Sequence, residues 1–252
     1  MRLNGLAGVI RTGSGARSDW ARREDKVLMR VLCDFDGTIT RTDTTLMVLD
    51  RLADNAWRDL ESDWVAGRIG SAACMAGQIA LVRGSDGDLD RLLNDCELEE
   101  GFLDFVAWCS AQQIEVGIVS DGVDRFIAYV LARHGLGHLS VTANRLTGRP
   151  GARTLEHPPR PEDCASGAGV CKCAVASALG VDSGPLVFIG DGRSDFCISG
   201  RADILFAKAQ LAAHARLIGL TFHPFDTFHD VMRVLAGLGS DFDIKAFQPT
   251  PA

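Results

Sequence analysis

An α/β fold, with a parallel sheet covered by helices on both faces, is what this sequence predicts, and three observations carry the prediction. The runs Arg30-Val31-Leu32-Cys33, Ile114-Glu115-Val116-Gly117-Ile118-Val119 and Leu186-Val187-Phe188-Ile189 are nearly continuous in apolar and β-branched residues, the pattern of strands buried on both faces. Helical segments alternate with them, as in βαβ units. Each run also ends in groups unsuited to packing: Asp34 and Asp36, then Ser120-Asp121-Gly122, then Gly190-Asp191 with Asp195 beyond. The carboxyl ends of strands are where open α/β sheets bind ligands.

The 252 residues allow one large domain or a core with a smaller insertion, and 46% hydrophobic with 23% charged residues is globular composition. A net charge of -7 and a pI near 5.3 speak against a nucleic-acid surface, which carries a basic excess. No apolar run approaches the roughly 20 residues that span a bilayer. Eight cysteines without a secretory leader pattern fit reduced thiols and a cytoplasmic location. Residues 1–28 are Arg-rich, carry Gly-Ser-Gly at 13–15 and lack periodicity. They read as a disordered tail or upstream extension, with Met29 opening the fold. Asp19, Glu24 and Asp25 weaken a targeting-peptide reading.

After the first strand the chain is helical to about residue 113. Thr44-Thr45 caps a helix bearing Leu46, Val48, Leu49 and Leu52. Trp57, Leu60, Trp64 and Val65 form a second stripe; Ser71 opens a third helix and Ser85 a fourth, while 99–111 is a fifth with Phe102, Phe105, Val106 and Trp108 on its apolar side. The tryptophans and methionines here read as packing. The predicted division is a core of 29–43 plus 111–252, with a helical insertion at 44–110. Beyond the second strand, 123–134 is helical with Gly135 as its C-cap. Strands follow at 139–146 and 154–156, a proline-rich loop at 157–161, a helix at 172–179, further short strands at 204–206 and 217–221, and a closing helix at 227–238.

Asp34 and Asp36 leave one strand end a single residue apart, and two like charges so close raise one pKa unless a cation lies beside them. A plain Asp-Gly turn is the alternative reading. The ordered set changes the balance: Asp34-Phe35-Asp36-Gly37-Thr38, Ser120 at a strand end, Lys172 at a helix start and Gly190-Asp191-Gly192-Arg193-Ser194-Asp195. This set resembles the four motifs of the haloacid dehalogenase superfamily of phosphatases. The resemblance implies a Rossmann-like three-layer core with an inserted all-helical cap, as in the phosphoserine-phosphatase-like branch, hinged near 42–45 and 99–101. It implies Asp34 as a nucleophile forming an aspartyl-phosphate and Asp36 as the acid and then the base. It also implies Ser120 on the phosphoryl oxygens and Lys172 neutralising developing charge. Magnesium would be held by Asp34, the Asp36 backbone carbonyl and Asp191, with Asp195 in or near the outer shell. Gly37 permits close backbone approach, and Thr38 hydrogen-bonds near the nucleophile or serves the turn. Asp121 and Gly122 offer backbone N–H groups to phosphate. Asp43 faces substrate or caps a helix.

The presence of Asp36 favours a phosphatase over a dehalogenase, whose halide leaving group needs no acid. Gly190–Cys197 together with Cys171-Lys172 is similar to a subgroup holding the phosphatases of 2-hydroxy-3-keto-5-methylthiopentenyl-1-phosphate and of phosphoethanolamine and phosphocholine. The expected partner is a small-molecule phosphomonoester, without nucleic acid or membrane. Arg68, Arg83 and Arg125 are candidate substrate contacts or plain surface charges. His157, Cys164, Cys171 and Cys173 have a spacing unlike the usual zinc pairs and read first as buried thiols, a structural zinc being the minority alternative. A non-catalytic phospho-ligand binder and a phosphotransferase are the competing readings.

Overall fold

The computed structural model describes residues 29–161, 167–178 and 184–238; the tail expected over 1–28 and Cys164 lie outside the described residues. β1 (Arg30–Cys33) is followed by α1 (Thr44–Leu52), α2 (Trp57–Val65), α3 (Ser71–Ala80), α4 (Asp86–Leu93) and α5 (Phe102–Ala111). The chain then alternates through β2 (Glu115–Val123), α6 (Asp124–Arg133), β3 (Ser140–Arg149), β4 (Ala152–Glu156), α7 (Lys172–Ala178) and β5 (Leu186–Gly190). It closes with α8 (Phe196–Ser199), β6 (Ile204–Ala207), α9 (Ala209–Ile218), β7 (His223–Pro224) and α10 (Phe228–Gly237).

The sheet has seven strands in the order β4-β3-β2-β1-β5-β6-β7. All pairings are parallel except the β3–β4 hairpin. Alternation along β1 divides the core: Val31 and Cys33 enter one layer, and Leu32 enters the other. The first layer packs α5, α6 and α10 through residues such as Phe105, Phe126 and Val231, and the second packs α7, α8 and α9 through Cys173, Ile198 and Leu211. Phe228 anchors the first layer, its ring centroid 4.8 Å from Phe102 and 5.1 Å from Phe105. Burying each such side chain contributes roughly 1.5–3 kcal/mol.

Two local expectations are corrected. Residues 217–221 do not form a strand. The alanine-rich segment before them is α9, which runs through Ile218 and stops at Gly219, whose φ of 73° ends the helix; Leu217 is 84% exposed at its tip. The cap of α1 is Asp43, whose carboxylate accepts from Leu46 N at 2.8 Å, so Thr44 and Thr45 are freed to lie buried beneath it. α5 falls inside the insertion drawn at 44–110, yet its side chains pack with β2 and α10 in the sheet layer. The helices α1 to α4 also reach the sheet layers: α1 touches β2 and α6, α3 touches β4, and α4 touches α6. Two linkers join them to the sheet, and the linkers are paired: Thr40 bridges Leu98, Arg41 N donates to Glu97 O at 3.1 Å, and Glu99 N donates to Ile39 O at 2.7 Å. No helix among the described residues is long and apolar enough to cross a membrane.

Candidate active site

The strand order β2-β1-β5 sets three polar strand ends side by side, with β1 in the middle. A cleft of about 650 Å³ opens there, lined by Asp34, Asp36, Ser120, Asp121, Gly122 and Asp191 from the sheet and by Asp43, Thr45, Trp64, Ser71 and Met75 from the inserted helices.

Asp34 is buried, and Oδ1 accepts from Phe35 N at 2.7 Å and from Lys172 Nζ at 2.8 Å. Lys172 has no solvent exposure and lies 2.5 Å from Asp195 Oδ1 as well. Burial opposes its charge, but Asp195 and Asp34 outweigh burial and hold its pKa above the usual lysine value. Asp36 is held differently. Oδ1 accepts both the backbone N–H and the hydroxyl of Thr44, each at 2.7 Å. Burial, followed by the charge of Asp43, pushes the Asp36 carboxyl up to about 8, against the lowering effect of Thr44. Two carboxyls two residues apart thus have unlike surroundings: Asp34 lies against a buried ammonium, and Asp36 has no cation beside it among the described residues.

Gly37 has φ +76°, and a Cβ there would stand 2.6 Å from Asp191 Oδ2, so the turn after Asp36 needs glycine. Thr38, expected to hydrogen-bond near the nucleophile or to serve the turn, is fully buried beneath the site, and its hydroxyl donates to Asp191 Oδ1 at 2.7 Å. It orients Asp191 and does not line the cleft. Ser120 lies in the irregular last part of β2, where the register with β3 shifts between Val119 and Val123. Its Oγ accepts from Gly122 N at 2.9 Å, which leaves the hydroxyl proton to donate elsewhere. A Cβ on Gly122 would meet Asp36 Oδ2 at 2.6 Å. Asp43 is an exposed helix cap on the cleft wall.

Asp195 is fully buried, and both its oxygens are engaged: Oδ1 by Lys172, Oδ2 by Asp191 N at 3.0 Å and Gly192 N at 2.9 Å. It shapes the loop after β5 that presents Asp191. Ligand oxygens of Asp34, Asp191 and Asp195 lie within 4.8 Å of one another. Burial and their mutual repulsion raise the Asp34 and Asp191 carboxyls, and the charges of Lys172 and Lys208 do not cancel three carboxylates. A buried, oxygen-only, net-negative set of this kind fits a hard divalent cation. The side chain of Asp36 is not part of this group.

Other candidates lie elsewhere. Arg68 pairs with Asp63 at 2.6 Å, Arg125 pairs with Asp90, and Arg83 donates to the carbonyls of Ala80 and Gly151; none lines the cleft. His157 faces Asn144 Oδ1 at 2.7 Å. Cys171 and Cys173 are buried, and the metal-competent group among the described residues contains no cysteine or histidine. Sequence reasoning missed the outer wall. Arg193 lies 5.2 Å from the Trp64 ring, and Phe196 stacks on His214 at 3.9 Å. The position of Arg193 inside the Gly-Asp-x-x-x-Asp stretch was the available signal. His214 is on the unanticipated α9.

The sequence model of a family described as haloacid dehalogenase-like hydrolase matches residues 31–199. A 2-hydroxy-3-keto-5-methylthiopentenyl-1-phosphate phosphatase of Geobacillus kaustophilus (strain HTA426) is 31% identical over 81% of this chain and 94% of its own. The protein of that description from Brevibacillus brevis is 28% identical over the same shares. Among solved structures, a phospho-aspartyl intermediate analogue of phosphoserine phosphatase superposes with a TM-score of 0.60 at 17% identity, covering 83% of this chain and 99% of that one. A substrate-bound phosphoserine phosphatase gives 0.58, also at 17% identity, over 82% and 98%. At that identity the likeness concerns the fold.

Proposed function

This chain belongs to the haloacid dehalogenase-like hydrolases and is a phosphatase of that fold; from that membership we propose how its own residues divide the work and what it acts on. Asp34, through the oxygen not bonded to Lys172, attacks phosphorus and forms an aspartyl-phosphate. Asp36, protonated near neutral pH, gives its proton to the leaving oxygen, then takes one from the water that hydrolyses the intermediate. Lys172 opposes the rise that burial and Asp195 impose on the Asp34 carboxyl, and Ser120 donates its free proton to a phosphoryl oxygen. Asp34, Asp191 and the Asp36 backbone carbonyl would hold a magnesium ion, with Asp195 behind them, and the bound ion supplies positive charge against the phosphoryl oxygens.

The observation that carries this reading is the contrast between the two carboxyls: Asp34 is locked to a buried ammonium, while Asp36 is held by Thr44, has no cation beside it among the described residues, and is pushed up to about 8. Two carboxyls in such unlike surroundings suit nucleophile and acid. A phospho-ligand binder has no use for the second.

The helices α1 to α4 act as the cap, excluding water and shaping the leaving-group pocket. Thr44 of α1 on Asp36 and Trp64 of α2 against Arg193 support that role. The substrate is a keto-enol phosphate like the one named for the relatives. The aromatic and thioether surface of Trp64, Met75 and Phe196 suits an apolar tail, and Arg193 suits oxygens on the leaving group. Phosphoserine, phosphoethanolamine and phosphocholine are the alternatives. The thiols of Cys33, Cys74, Cys96, Cys109, Cys173 and Cys197 support a reducing, cytoplasmic compartment.

The test is phosphate release from a panel containing the keto-enol phosphate, phosphoserine, phosphoethanolamine and phosphocholine, with magnesium and with EDTA. Magnesium-dependent turnover favouring the first compound, abolished by Asp34→Asn, is expected. Phosphate release by Asp34→Asn would overturn the mechanism, and preference for another compound the substrate.

A further inference from the structure

Asp121 sets a buried carboxylate directly beside Ser120, on the wall that the proposed reaction fills with a dianion. Such a charge is unfavourable there, so its partners matter. Oδ2 accepts from Ser71 Oγ at 2.8 Å, the first residue of α3. Oδ1 accepts from Val170 N at 3.0 Å and Asn144 Nδ2 at 3.2 Å. Asn144 is fully buried on β3 and is fixed in turn by His157 at 2.7 Å. A second contact runs alongside: Ala72 N donates to Gly167 O at 3.2 Å. The first turn of α3 therefore meets both the end of β2 and the segment leading into α7, whose first residue is Lys172, two beyond Val170.

We infer that Asp121 is a positioning residue that couples the seating of the α1–α4 cap to the alignment of Lys172 against Asp34, with Ser71 as the cap's half of the contact. One carboxylate collects donors from three segments remote in sequence, at 71, 144 and 170, so it is fully satisfied only when all three are in place. With the cap displaced, Asp121 loses Ser71 and Gly167 loses Ala72, and the segment before Lys172 is held from the core side alone. Closure of the cap over substrate thereby completes the charge set around the nucleophile. The coupling rests on the catalytic assignment of Lys172 and Asp34 above.

The experiment measures kcat, KM and Tm with p-nitrophenyl phosphate and magnesium for the wild type, Ser71→Ala, Ser71→Thr, Asp121→Asn and the Ser71→Ala/Asp121→Asn double variant. Ser71→Ala should lower kcat about tenfold, the worth of one hydrogen bond to a charged acceptor, with KM changed by less than about twofold and Tm lowered by no more than about 3–6 °C. Ser71→Thr, which keeps the hydroxyl, should restore kcat. The double variant should be no slower than Asp121→Asn, because both changes break the same contact. Wild-type or higher kcat in Ser71→Ala would overturn the inference, as would losses that multiply in the double variant. Ser71→Ala keeps the test decisive if Asp121→Asn fails to fold. Failure of the catalytic assignment itself would look different, as phosphate release persisting in Asp34→Asn.

Discussion

Lys172→Met removes an ammonium that lies 2.8 Å from Asp34 and 2.5 Å from Asp195 with no exposure to solvent. Methionine fills most of the vacated volume, so the cost is chiefly electrostatic. Taking one partner from a buried ion pair costs about 3–5 kcal/mol. The low end applies here, because Asp34 has a relief: burial and Asp195 already raise its pKa, and without Lys172 it takes up a proton. The sign follows from that uptake. A carboxyl whose folded-state pKa lies above its unfolded value binds more protons in the native state, so stability falls as pH rises above the ordinary carboxylate range and returns on acidification. The deficit of the variant against wild type should therefore be largest near pH 8 and shrink toward pH 5, by at most about 1.4 kcal/mol per pH unit for one proton. For a chain of 252 residues, about 3 kcal/mol lowers Tm by roughly 6–12 °C. Thermal unfolding in EDTA at the two pH values reads this, EDTA being needed because a bound divalent cation would replace the missing charge. A deficit equal at both pH values would refute the electrostatic reasoning. Phosphate release within about tenfold of wild type would refute the role of Lys172.

Two further outcomes test the same geometry. Gly122→Ala should lower kcat about a hundredfold with little change in Tm, since its Cβ would stand 2.6 Å from Asp36 Oδ2 and turn the acid away; steady-state kinetics beside a thermal scan decide it, and near-wild-type kcat would contradict the placement of Asp36. The acid must be protonated to act, so kcat for an alkyl phosphate should fall as pH rises through about 8, whereas a p-nitrophenyl leaving group, needing little protonation, should show a weaker alkaline limb. Identical limbs for both substrates would remove Asp36 from the acid step.

Asp34, Asp36, Ser120 and Asp191 were legible in the sequence, because a buried strand that ends in carboxylate or hydroxyl breaks its own pattern; Lys172, at a helix start, was legible only through the resemblance of the ordered motifs. The helix α9 was not. Leu217-Ile218-Gly219-Leu220 has the local composition of a short strand, and only packing of Leu211, Ala212 and Ala215 against the sheet makes the segment a helix with an exposed end. The partners of the Thr38 hydroxyl and the Asp121 carboxylate were not legible for a similar reason. Sequence shows that a hydroxyl or carboxylate stands at the strand end, but not that Asp191 takes the one and Ser71, Asn144 and Val170 take the other.

What the sequence by itself determined is the set of chemical groups and the strands that carry them, since hydrophobic period and strand-end polarity are properties of neighbouring residues. Tertiary structure decided everything that depends on distant segments meeting. The order β2-β1-β5 brought three strand ends together, and folding of α7 aimed Lys172 at Asp34. Packing of the inserted helices put Thr44 on Asp36 and Trp64 beside Arg193. Pairing across a hundred residues is set by the summed burial of whole elements, which no local stretch of chain encodes.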